Sequence, residues 1–274
     1  GEAFCFNKIV PGYFSRINAD GVWSDGSICG NDTASERNMV HKYLVDSVCY
    51  WADEYHIDGF RFDLVGLIDV KTINAITTEV HKKHPNVIFY GEGWDMPTEL
   101  TKECELAIQP NSPKMPEFSF FNDTIRDLLR GNIQKDTDPG YVAGADTAKE
   151  VLNACFMGMP AWAANPYQCI NYVSCHDNNT LFDRLALAAP DTPAEILIRM
   201  NNLAAAIYMI LMISHFESSM YLYSVMRAFQ TIIGVSIAWF INVKLLPYPP
   251  RPGTLSYWLM EKISGKKPVS NTDK

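Results

Sequence analysis

Paired cysteines are missing from this chain. The 7 cysteines (Cys5, Cys29, Cys49, Cys104, Cys155, Cys169 and Cys175) form no CxxC pair and no Cys/His cluster at zinc-ligand spacing. Free thiols in a reducing compartment are the plain reading, which favours the cytoplasm; an extracellular location stays open if an export signal precedes Gly1. Positive charge is also scarce. Lys and Arg total 23 against 31 Asp and Glu, a net charge of -8, with no basic patch interleaved with aromatics, so nucleic acid is not an expected partner. Neither GxGxxG nor another phosphate-binding glycine loop occurs, and no cofactor is expected. Long apolar runs are lacking too: residues 221–243 come closest, but Arg227 and Gln230 break them short of the ~20 residues a bilayer helix needs. A membrane partner is not expected.

What is present is enough for a packed core: 274 residues, 47% hydrophobic and 12% aromatic. Residues 7–31, rich in Gly, Pro, Asn and Asp, read as an extended loop. A helix should follow, capped by Thr33 or Ser35 with Glu36 in its first turn. Val40, Tyr43, Leu44, Val48, Trp51, Ala52 and Tyr55 recur on it at helical spacing. The run "HIDGFRFDLVG" is strand-like. Residues 70–84 form a second helix with Ile73, Ile76 and Val80 on one face, ended by Pro85, and His81 and His84 should lie solvated on its surface. "VIFYGEGW" (87–94) reads as a strand buried on both sides. "FSFFND" and "TIRDLLRG" repeat strand and helix, with Asn122 or Asp123 as cap. An irregular section then leads to a fourth strand at Ile170, Tyr172 and Val173. Strands and helices alternating in this way predict parallel βα units, either an α/β barrel or a doubly wound sheet.

Within the first strand Arg61 and Asp63 are two residues apart and so share a face, a cation held against a carboxylate, while Phe62 faces the other layer. Asp63, Glu92 and Asp177 each close a strand just before a loop. Parallel strands aim those ends at one face, so the three carboxylates should converge.

These residues carry a resemblance. "DGFRFDLVG", "YGEGW", "YVSCHDNNTLFD", "CGNDTASER" and "FFNDTIRDLLRG" resemble segments of the α-amylase superfamily of glycoside hydrolases, most closely the type I pullulanases, over residues 8–208. The resemblance implies a partial (β/α)8 barrel, roughly strands 3 or 4 to 7, acting on an α-glucan polysaccharide or oligosaccharide. It implies Asp63 as nucleophile, Glu92 as general acid/base and Asp177 as transition-state stabiliser. Arg61 would keep Asp63 ionised and oriented, and His176 and Trp94 would bind sugar. Burial and neighbouring acids should raise the pKa of Glu92, and retention would place the Asp63 and Glu92 carboxyls about 5 to 5.5 Å apart. The family often binds structural calcium, for which no ligand set can be assigned. The preference for α-1,6 branches over α-1,4 links rests on the resemblance alone, and a non-catalytic binding or docking module is the alternative from another class.

The expected division is a catalytic barrel piece at 1–210 and a divergent, hydrophobic and Pro-rich segment at 211–274. The family's DVVYNH-type segment should precede "FNKIVPGY", and a segment like "QGIPFIHAGEE" should follow Met209. Neither stands in the sequence, which is expected of an internal fragment, a frameshift or a different C-terminal end. The isolated chain is expected to show no turnover.

Overall fold

A computed structural model describes residues 5–101, 103–146, 149–214 and 262, without the side chains of 211–214. The chain divides into two compact units, residues 1–191 with 200–215, and residues 192–199 with 216–274. The second unit is described only at 192–199 and 262, so the expected C-terminal segment and its apolar stretch lie almost wholly outside the described residues. Among the described residues, no helix is long and apolar enough to cross a membrane.

Among the described residues four short strands, β1 (Gly59–Phe62), β2 (Ile88–Gly91), β3 (Ser119–Asn122) and β4 (Cys169–Asn171), form one parallel sheet in the order β1-β2-β3-β4. Each strand pairs with the next in sequence, and the order never reverses. That is an arc of a barrel rather than a doubly wound sheet, whose strand order must switch direction. Seven α-helices with described bounds accompany it among the described residues: α1 (Cys5–Ile9), α2 (Asn38–Tyr55), α3 (Val70–His81), α4 (Asp123–Arg130), α5 (Lys149–Phe156), α6 (Leu181–Ala188) and α7 (Ala194–Ser214), the last of which begins in the second unit.

The strands' period of two sorts their residues into layers. Phe60 and Phe62 pack against a core containing Phe89, Phe118 and Phe120, together with Ile73, Ile76 and Val80 of α3 and Ala52 of α2. The Phe60 and Phe89 rings stack at 5.8 Å. Arg61 registers with Tyr90 on the opposite face, so Asp63 and Glu92, two residues further along each chain, continue that face. Only one face of β2 is closely covered: Phe89 is 2% exposed but Ile88 63%, which corrects the strand expected to be buried on both sides.

Other local expectations need amendment. Helix α2 starts at Asn38 with Arg37 at its N-cap and no side-chain cap. The expected caps are engaged elsewhere, because Ser35 Oγ accepts from the Asp69 N–H at 3.0 Å and Glu36 pairs with buried Arg16 at 2.9 Å. Tyr43, Trp51 and Tyr55 of α2 are exposed. Helix α3 is capped by Asp69, whose Oδ1 accepts from the Thr72 N–H at 2.9 Å. His81 and His84 are not simply solvated: His81 Nε2 lies 2.8 Å from the Val87 carbonyl, and His84 Nε2 lies 2.7 Å from Asp53 Oδ1 on α2. Asn122 does cap α4, accepting from the Ile125 N–H. Helices α1 and α5 form in stretches read as irregular, and β4 ends at Asn171, before Tyr172 and Val173.

Candidate functional site

The face that carries Arg61 ends in a charged cluster. Asp63 follows β1 directly and Glu92 follows β2 directly. Arg61 Nη1 hydrogen-bonds Asp63 Oδ1, and Arg61 Nη2 lies 2.6 Å from Glu92 Oε1. One guanidinium therefore bridges two carboxylates, while its carbon sits 5.9 Å from the centre of the Phe121 ring. The shared face fixed the Arg61–Asp63 contact in advance; the Glu92 contact comes from the pairing of β1 with β2.

The two carboxylates occupy different surroundings. The Asp63 side chain is 72% exposed and that of Glu92 10%. Burial raises the Glu92 pKa from its ordinary value of 4.5, assisted by Asp63 and Asp177 and opposed by the Leu64 N–H and Arg61. The Leu64 N–H donates to Glu92 Oε2 at 3.2 Å, and Leu64 does so from the left-handed region at φ 47. A branched residue is rarely found there, so the surrounding turn must enforce it.

Close backbone approach holds the exits of β1 and β2 together. The Gly66 N–H donates to the Glu92 carbonyl at 3.1 Å, and a Cβ on Gly66 would lie 2.0 Å from the Trp94 carbonyl oxygen. A Cβ on Gly93 would meet the Phe120 ring at 2.5 Å. Both glycines are thus required by space.

Asp177 departs from expectation in position. It lies six residues beyond the end of β4, in an exposed bend, with the His176 ring 3.5 Å from its carboxylate. It nonetheless lines the same cavity as Glu92 and Trp94, about 380 Å³ in volume. Ligand atoms of Asp63, Glu92 and His176 all lie within 4.8 Å of one another. That trio has the composition of a cation site, but Arg61 already supplies the positive charge between its two carboxylates. Every expected site residue therefore stands in one region: Asp63, Arg61 and His176 around Glu92, and Trp94 and Asp177 on the cavity wall.

Several cavity residues were not singled out from sequence. Arg126 and Asp127 of α4 pair at 2.6 Å, and Arg126 donates to the Tyr172 hydroxyl at 2.6 Å. Asn132 and Gln134 line the cavity as well. The polar spacing within "TIRDLLRG" was the available signal, but on a short helix it looks like an ordinary solvated face.

No protein-family model matches the chain. Individual relatives do. The pullulanase of Bacillus subtilis (strain 168) is 39% identical over 211 residues, covering 75% of this chain and 29% of that protein. The crystal structure of a pullulanase from Paenibacillus barengoltzii in complex with maltohexaose and alpha-cyclodextrin is 41% identical, with a TM-score of 0.72 over 75% of this chain and 33% of that one. A pullulanase from Anoxybacillus sp. LM18-11 complexed with maltotetraose is 39% identical, also at 0.72, over 75% of this chain and 30% of that one. This chain thus spans a third or less of the length of these relatives. With a parallel barrel arc and sequence identity over the same three quarters of its residues, the chain is pullulanase-like, a partial barrel that matches about a third of each of these proteins.

Proposed function

We propose that this chain carries the catalytic centre of a retaining glycoside hydrolase that cleaves α-1,6 branch bonds in α-glucans such as pullulan, amylopectin or glycogen. The observation that carries the reading is the pairing of an exposed and a buried carboxylate, within 4.8 Å and joined by Arg61, at the ends of adjacent parallel strands. That closeness suits a nucleophile and an acid/base acting through a covalent intermediate, and leaves no room for the water that inversion places between them.

In this reading Glu92, whose burial favours the protonated form, gives its proton to the glycosidic oxygen as that bond breaks. Asp63 attacks the anomeric carbon from the opposite side and forms a glycosyl ester. Glu92 is then a carboxylate, held by Arg61 and the Leu64 N–H, and takes a proton from the water that cleaves the ester. The same contacts that oppose protonation in the resting site stabilise the base in the second step. Asp177 and His176 bind hydroxyls of the reacting sugar, and Trp94 offers a ring to a sugar face. The choice of α-1,6 bonds is supported by the relatives, which are pullulanases. The catalytic piece occupies residues 1–210 in this account, and 211–274 lie outside it.

A chimera tests the reading, in which the matched stretch replaces its counterpart in the Bacillus subtilis pullulanase. Maltotriose should be released from pullulan. Asp63→Asn should abolish the release, and Glu92→Gln should lower it by about 10²- to 10⁴-fold. Release that survives Asp63→Asn would defeat the assignment, and a folded chimera without activity would favour the docking module instead.

A further inference from the structure

Behind the cavity wall lies a buried cation that pairs with no acidic side chain among the described residues. Arg184 of α6 is 1% exposed. Its Nη2 donates to the carbonyls of Lys135 (2.6 Å), Asn132 (3.0 Å) and Asp138 (3.0 Å), and its Nη1 donates to the Asp136 carbonyl. Burying a guanidinium costs several kcal/mol unless its donors are met, and here the backbone of a single loop meets both terminal nitrogens, while the buried Nε has no hydrogen-bond partner among the described residues. The loop is closed on itself as well. Asp138 Oδ2 accepts from the Asn132 N–H at 2.8 Å, and Asn132 Oδ1 accepts from the Gln134 N–H at 2.8 Å. Its two ends touch: a Cβ on Gly140 would lie 2.2 Å from the Gly131 nitrogen, and both glycines have positive φ.

An apolar residue at 184 would serve a mere connection with less desolvation. The other side of this loop puts Asn132, Ile133 and Gln134 on the cavity shared with Glu92, Trp94 and Asp177. We propose that residues 131–140 form a preorganised wall of the saccharide cleft, contacting the bound glucan through Gln134, and that Arg184 is the positioning residue that holds this wall in place. The inference rests on the saccharide-cleft reading above and adds to it a binding residue and its support. A wall fixed before the ligand arrives spares the ordering of the loop on binding, and exposed Gln134 offers an amide donor and acceptor suited to adjacent sugar hydroxyls.

The test uses the full 274-residue chain, maltotetraose titrated calorimetrically, and amide hydrogen exchange. Arg184→Lys keeps the charge, but a compact ammonium cannot span four carbonyls. The amides of Asn132 and Asp138 should then exchange faster while those of β1 to β3 do not, and maltotetraose affinity should fall about tenfold. Gln134→Ala alters an exposed side chain and leaves folding aside; it should weaken affinity at least threefold or so with exchange unchanged. Affinity at the wild-type level in either variant, or an Arg184→Lys loop that exchanges like wild type, overturns this inference and leaves the cleft reading standing. Failure of the wild-type chain to bind maltotetraose at all overturns both.

Discussion

At the scale of single residues, the difference between Asp63 and Glu92 is one of environment rather than chemistry. Glu92 is buried where Asp63 is open to solvent, and burial raises its pKa against the pull of Arg61 and the Leu64 N–H. The consequence for stability has a definite sign. A glutamate whose native pKa lies above its unfolded one binds more protons when folded, so between those two values stability falls as pH rises. Thermal melts of the wild type should therefore decline from about pH 4.5 upward relative to Glu92→Gln, whose midpoint should stay flatter over that window. Parallel curves would mean that Glu92 titrates normally. Arg61 is open to the same kind of reasoning. Arg61→Met removes the bridge and leaves Glu92 buried without its cation, so the window should widen to higher pH.

At the scale of elements, the cluster depends on turns that bring the ends of β1 and β2 together. Gly66→Ala would push a Cβ to 2.0 Å from the Trp94 carbonyl, which cannot be met by a side-chain rotation. The turn must shift, and it carries the Leu64 N–H. Urea unfolding should show a loss of about 2 to 4 kcal/mol, the range of a disallowed backbone contact in a packed site. The next element gives a milder test. Asp69→Ala removes the α3 cap and leaves the Thr72 N–H without its acceptor, the hydroxyl keeping the Ser35 carbonyl, at a cost of about 1 to 2 kcal/mol by the same measurement. The strands and these helices were legible in sequence because period-two and period-3.6 patterns survive in short segments. Thr33 and Ser35 misled as caps because tertiary partners took Ser35 and Glu36. Arg184 was not legible at all, since an arginine that bonds only backbone carbonyls leaves no partner residue in the sequence. The site residues themselves were legible through the strand-end positions of Asp63 and Glu92, whereas the distance of Asp177 from β4 was hidden in a loop of irregular backbone.

At the scale of the whole described unit, the long loop before α2 is fastened to the turns above β1 and β2 by one buried polar hub. Arg16, 1% exposed, pairs with Glu36 at 2.9 Å and donates to the Leu67 carbonyl at 2.7 Å and to Thr98 Oγ1 at 3.1 Å. Thr98 and Ser24 both donate to Asp32 at 2.6 Å. Segments more than sixty residues apart thus share one network, and Arg16 is the member common to most of it. Removing it alone should be severe, because Glu36 stays buried with no cation in contact; a loss of about 3 to 5 kcal/mol is the ordinary scale for breaking such a pair from one side. Removing both charges should cost less. Arg16→Met with Glu36→Leu deletes the buried pair and keeps the packing volume, so the double variant should unfold at higher urea than Arg16→Met alone, despite carrying more substitutions. If the double variant is instead the weaker of the two, the Leu67 and Thr98 contacts of Arg16, rather than its pairing with Glu36, hold the loop to the strand ends.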